Sequence, residues 1–158
     1  MTNDTRPSTS VRLLLVDDDK AFRQYLSILL TDEGFHVVGE AGTGEDAVRL
    51  AQSIRLDIVL MDICLPGMDG VRATAEVLKV APRSQVVGLS LCGDGDTVSR
   101  MMMAGASAFV PKTKLESLLG VLHGMAEVLA SHSNRKWSGT LVRVKDANLR
   151  VSRKDLSE

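Results

Sequence analysis

The sequence predicts an α/β protein: an open, doubly wound parallel sheet of five strands with helices on both faces. Two observations carry that prediction. Short apolar runs alternate five times with segments of helical period, and the runs are continuously apolar, as strands buried on both faces are. Right-handed crossovers between parallel strands then place the helices on the two sides of the sheet. At 158 residues the chain has enough core for one domain of ordinary size.

Residues 1–10 are polar, rich in Thr and Ser, and read as a disordered leader before a domain spanning 11–131. Val11-Arg12-Leu13-Leu14-Leu15-Val16 is the first buried strand, and it runs directly into Asp17, Asp18 and Asp19. Phe22, Leu26, Leu29 and Leu30 follow at helical spacing, and Gly34 stops that helix. Phe35-His36-Val37-Val38-Gly39 reads as the second strand. Gly42 and Gly44 flank Thr43, which with Asp46 has the form of a helix-capping pair before Ala47, Val48 and Ala51. A glycine cluster between strand and helix can cradle a phosphate, but neither G-x-G-x-x-G nor a P-loop lysine is present here.

Ile58-Val59-Leu60-Met61 is the third strand, and it delivers Asp62 just before the turn Cys64-Leu65-Pro66-Gly67-Met68-Asp69-Gly70. A helix over about 71–80, closed by Pro82, leads to the fourth strand, Gln85-Val86-Val87-Gly88-Leu89, which ends at Ser90. The spacing predicts a helix over 96–104 with Gly105 as its stop. Within it, Met101, Met102 and Met103 divide between core packing and a partner surface. Ala108-Phe109-Val110 is a short fifth strand finishing at Pro111 and Lys112. Leu115, Leu118, Leu119, Leu122, Met125, Ala126 and Leu129 line a long last helix.

In an open parallel sheet the carboxyl ends of neighbouring strands lie along one edge. Asp17, Asp18, Asp62, Ser90 and Lys112 therefore converge there. Singly, each has an ordinary use: a helix cap, a strand-end hydroxyl, an exposed turn lysine. Together they form a constellation, and three carboxylates brought close repel one another unless a cation sits between them. A hard divalent metal site is the economical reading.

Composition excludes several classes. No apolar run approaches the roughly 18 residues of a membrane span, and the amino terminus lacks a signal-peptide apolar region, which points to a cytoplasmic protein with no membrane partner. Two cysteines make neither a disulfide framework nor a zinc site. The net charge of −1 hides an uneven distribution, because basic residues outnumber acids from Arg135 onward. Residues 132–158 read as a basic linker or tail without a complete output domain. Within them, 140–144 and 149–151 alternate weakly, compatible with a short hairpin or with disorder.

Leu-Leu-Val-Asp-Asp-Asp, Met-Asp-Ile-Cys-Leu-Pro-Gly-Met-Asp-Gly, Leu-Ser and Ala-Phe-Val-Pro-Lys, in this order, resemble the receiver domain of bacterial two-component response regulators. Val38-Gly39-Glu40-Ala41 and the segment 103–112 are most similar to the subfamily with helix-turn-helix output domains. The resemblance implies a flavodoxin-like (CheY-like) fold with strand order 2-1-3-4-5. It implies that Asp62 is the phosphoacceptor for a sensor histidine kinase. Asp18, Asp62 and the Cys64 backbone carbonyl would hold Mg²⁺, with Asp17 acting mainly through bound water. Ser90 and Lys112 would meet the phosphoryl oxygens. Phe109 would occupy the position of an aromatic that turns inward as the face made by the fourth helix, fifth strand and fifth helix switches. Cys64 and Cys92 would overhang the phosphoryl group and tune its hydrolysis, and they are near enough in the family's fold to raise the question of a disulfide. The expected protein is a phosphoacceptor switch rather than an enzyme. Any homodimer would form through the switching face or the last helix, and DNA would be reached only through an output domain outside this sequence. The alternatives are a single-domain regulator acting by protein contact, or a protein-interaction module independent of phosphorylation, and, from a different class, a metal-dependent phosphohydrolase using Asp62 as nucleophile.

Overall fold

The computed structural model describes residues 11–91 and 94–131, together with the backbone of 141–144 and 147–150. The expected leader, Cys92 and the linker at 132–140 lie outside the described residues. The elements alternate as β1 (Arg12–Val16), α1 (Lys20–Asp32), β2 (His36–Ala41), α2 (Gly44–Ser53), β3 (Ile58–Asp62), α3 (Gly70–Val80), β4 (Gln85–Ser90), α4 (Gly95–Ala104), β5 (Ala108–Pro111) and α5 (Leu115–Ser131). The first five strands are all parallel and lie in the order β2-β1-β3-β4-β5.

Period-two alternation divides each strand between two cores. Leu13 and Leu15 of β1 and Leu60 of β3 face one layer, where they meet Leu26 and Leu30 of α1 and Leu118, Leu122 and Met125 of α5. Leu14, Val16, Val59 and Met61 face the other, against Ala47 and Ala51 of α2, Val77 of α3 and Met101 of α4. Small alanines on α2 and α3 let those helices approach the sheet. The leucines on the opposite side each contribute about 1.5–3 kcal/mol of burial. All five residues of β3 are buried, which is why that segment lacks any polar alternation.

The helix starts follow local chemistry. Asp19, Thr43, Asp69 and Asp94 each accept a hydrogen bond from the amide three residues on, so α1 to α4 all begin at an oxygen-bearing N-cap. Gly105, at φ 111°, closes α4.

Two expectations are corrected, and one open alternative is resolved. The second strand does not stop at Gly39: Glu40 and Ala41 continue it, paired with Leu15 and Val16. Of the methionines, Met101 is fully buried and Met103 is 86 % exposed, but Met102 packs against the second core layer rather than facing a partner. The expected five-stranded parallel sheet is present and continues beyond β5. A hairpin of β6 (Leu141–Val144) and β7 (Ala147–Arg150) extends it, with β7 antiparallel to β5 in the register Ala108↔Leu149 and Phe109↔Asn148. Between the hairpin and disorder allowed for this segment, the backbone takes the hairpin.

Candidate functional site

Parallel strands bring the predicted residues to one edge. Asp17 follows the last residue of β1, and its amide donates to the Ala41 carbonyl at the end of β2 (3.0 Å). Asp62 ends β3 and Ser90 ends β4. Lys112 follows β5, its amide donating to the Ser90 carbonyl at 2.8 Å. Asp17, Asp62 and Ser90 are almost fully buried, whereas Asp18 is exposed at the mouth. One carboxylate oxygen from each of Asp17, Asp18 and Asp62 lies within 4.8 Å of the others.

Lys112 is inserted among these acids. Its Nζ is 2.6 Å from Asp17 Oδ2 and 3.4 Å from Asp62 Oδ2, and its side chain is only 10 % exposed. The Asp17 contact is an ion pair without hydrogen-bond alignment: Oδ2 is buried and has no donor in line with it. Asp17 Oδ1 accepts from the Asp19 amide at 2.8 Å. Three carboxylates that each bring an oxygen within 4.8 Å of the others are an oxygen-only donor set, and it fits a hard divalent cation.

The electrostatics of the pair follow from burial. Loss of solvent, and then the charge of Asp17, push the Asp62 carboxyl above its ordinary range, against the opposing pull of Lys112 and of the Cys64 amide. That amide donates to Asp62 Oδ1 at 3.3 Å and orients the carboxylate. Burial works against the Lys112 charge, but its contacts with Asp17 and Asp62 outweigh burial and hold the ammonium above the ordinary lysine range. A partly desolvated carboxylate beside a fixed cation is an oxygen nucleophile whose attack on an anionic group is assisted by local positive charge.

Asp19 caps α1 through the Phe22 amide at 3.2 Å and takes no part in the acid cluster. Phe109 is buried at 4 % exposure, beside Met101 over Gly88 of β4, where a Cβ would come within 2.8 Å of Met101 Cε and 3.2 Å of the Phe109 ring. Cys64 is exposed with a free thiol. The partner in the expected tuning pair and disulfide, Cys92, lies outside the described residues. The Gly42–Gly44 stretch holds no cradle: Gly44 is buried where a Cβ would meet the Met68 carbonyl at 2.9 Å, so glycine there lets α2 close on the β3–α3 turn.

Three residues were not read from the sequence as part of the site. Arg23 donates from its guanidinium to the Asp17 carbonyl and reaches Glu40 at 3.3 Å, tying the acid-bearing loop to β2. Phe22 lies under the Lys112 ammonium, 4.8 Å from ring centroid to Nζ. Gly70 starts α3 so close to β3 that a Cβ would overlap the Asp62 carbonyl oxygen. Only Gly70 left a trace in the sequence, as the second half of an Asp-Gly turn. Phe22 reads as one more apolar helix position.

The response regulator receiver domain model matches residues 13–123. "Response regulator GacA" of Pseudomonas aeruginosa is 38 % identical over 103 residues, 65 % of this chain and 48 % of that protein. The chain thus spans about half the length of that relative. "Chemotaxis protein CheY" of Thermotoga maritima is 37 % identical over 101 residues, 64 % of this chain and 84 % of its own length. Among solved structures, the CheX-CheY-BeF3-Mg+2 complex from Borrelia burgdorferi aligns at a TM-score of 0.65 and 28 % identity, covering 71 % of this chain and 89 % of the matched one. With the strand order, the acid edge and the matched residues in agreement, the chain belongs to the response regulator receiver domain family.

Proposed function

We propose that the chain is a phosphoacceptor switch: Asp62 takes a phosphoryl group from a phosphohistidine of a sensor histidine kinase. The observation that carries this reading is Lys112, held at 2.6 Å and 3.4 Å from two buried carboxylates at the end of parallel strands. An Asp62 carboxylate oxygen forms the new O–P bond as the N–P bond of the donor breaks, and the imidazole leaves after taking up a proton. Lys112 moves from its carboxylate contacts onto the phosphoryl oxygens, and the Ser90 hydroxyl donates to another. The Cys64 amide keeps Asp62 Oδ1 oriented through the step. Asp18, Asp62 and the Cys64 carbonyl would hold Mg²⁺, with Asp17 acting through water; the ion would supply positive charge for the transferring group. The Borrelia burgdorferi complex, which is a Mg²⁺ complex, supports that choice of metal.

The added charge then biases α4, β5 and α5, with Phe109 and Met101 as the packed contact between β5 and α4. We assign residues 11–131 to the receiver and 132–158 to a tail. DNA contact belongs to an output domain outside the receiver, and any homodimer to the α4-β5-α5 face. We place the protein in the cytoplasm, where a kinase donor meets it; among the described residues no helix is long and apolar enough to cross a membrane.

Incubation with Mg²⁺ and acetyl phosphate tests the reading by stoichiometry. A receiver accepts one equivalent on the chain and releases phosphate only as fast as that adduct decays. Fast turnover of a phosphoester, with no adduct on Asp62, would replace this reading with the phosphohydrolase.

A further inference from the structure

A lysine ammonium is a point charge on a flexible stem, and attraction to two carboxylates gives it no preferred direction. At this site a third group meets it. Nζ of Lys112 lies 4.8 Å from the centroid of the Phe22 ring, on top of the contacts to Asp17 at 2.6 Å and Asp62 at 3.4 Å. An aromatic face attracts a cation through its quadrupole, and the ring also keeps water from that side of the ammonium.

The ring is itself fixed. Phe22 is the third residue of α1, its amide bonded to the Asp19 carboxylate at 3.2 Å, and its side chain packs against the core layer formed by α1 and α5. Asp17, which draws Nζ toward the carboxylates, bonds the Asp19 amide through its own Oδ1. One short turn therefore carries both the acid that attracts the ammonium and the ring that backs it.

We propose that Phe22 is a positioning residue: its ring face holds the Lys112 ammonium over the Asp17–Asp62 pair, in place to meet the phosphoryl oxygens during transfer. The functional half of this proposal rests on the receiver reading of Asp62. A merely structural Phe22 would fill core volume without orienting Lys112.

The test begins with the unaltered chain, metal-free, by NMR. A ring face at this distance shifts the Lys112 ε-methylene protons upfield. Phe22→Leu, which keeps an apolar side chain, abolishes the shift, and Phe22→Tyr retains it. With acetyl phosphate and saturating Mg²⁺, Phe22→Leu slows phosphorylation roughly 3- to 10-fold, and Phe22→Tyr restores it. In a Lys112→Met background the same Phe22→Leu change has no further effect, because the group it acts through is gone. An unshifted Lys112 methylene in the unaltered chain overturns the proposal, as does an equal rate loss with and without Lys112. If the unaltered chain accepts no phosphoryl group the receiver reading fails, and the methylene shift alone then decides whether Phe22 holds the ammonium.

Discussion

Lys112 Nζ stands nearer to Asp17 Oδ2, at 2.6 Å, than to Asp62 Oδ2, at 3.4 Å. The resting ammonium thus answers first the buried oxygen that has no aligned donor, and it leaves the carboxylate of Asp62 less fully paired. That imbalance, and the backbone that maintains it, set how the site responds to pH and to substitution.

Asp62 is held above its ordinary carboxyl range, by burial first and then by Asp17. A raised folded-state value means that ionising Asp62 opposes folding at every pH above that value. The penalty fades as pH falls through the folded value and is absent below the unfolded value of 3.8. Asp62→Asn, without metal, should therefore raise the thermal midpoint by a few degrees near pH 7.5. The advantage should vanish near pH 3.5 in the same calorimetric series.

Lys112 has the opposite linkage. Its contacts with the acids raise it above 10.5, so its stabilising contribution is complete below that value and lost only as pH rises through the folded one. Lys112→Met leaves two buried carboxylates facing each other. The expected loss near pH 7.5 is about 1–3 kcal/mol, below that of a fully buried pair because Asp18 opens the site to water. Denaturant titrations with added Mg²⁺ should show the variant stabilised more by the cation than the unaltered chain, since the ion replaces the missing charge.

Gly70 sets the backbone behind Asp62. A methyl group there overlaps the Asp62 carbonyl and approaches Ile63 Cα, so Gly70→Ala must displace the end of β3 or the start of α3. Overpacking of this kind costs about 1–3 kcal/mol. Mg²⁺ affinity, read by titration on the folded variant, should fall with it, since the ligands proposed from Asp62 and the Cys64 carbonyl would shift together.

Cys64 is exposed two residues past Asp62 and offers neither a base nor bulk to an attacking water. Cys64→Glu or Cys64→Asn should change the decay rate of the phosphorylated chain several-fold, measured by loss of the adduct over time. An unaltered decay rate in both variants would remove Cys64 from any tuning role.

The acid edge was legible because each of its members sits at the end of a buried apolar run. Strand ends are the one feature that period and composition locate, and parallel topology gathers them. Side chains that reach the edge from elsewhere were not legible. Phe22 and Arg23 meet the site across the packing of α1 on the sheet, and nothing in a helical apolar pattern encodes what lies across from it. Gly70 was readable as a turn residue, but its contact with the Asp62 carbonyl depends on how closely α3 packs on β3. The extension of β2 through Glu40 and Ala41 was missed because a charged residue interrupts the apolar run, although β1 supplies backbone partners for both. The weak alternation at 140–144 and 149–151 left both a hairpin and disorder open. Pairing of β7 with β5 came from an edge the local sequence does not describe.

The central claim is that Asp62 is the phosphoacceptor. Intact-mass measurement after incubation with Mg²⁺ and acetyl phosphate, for the unaltered chain and for Asp62→Asn, tests it most directly. One phosphoryl group on the unaltered chain and none on the variant is the predicted result. Equal addition to both, or none to either with Mg²⁺ binding established, would contradict it.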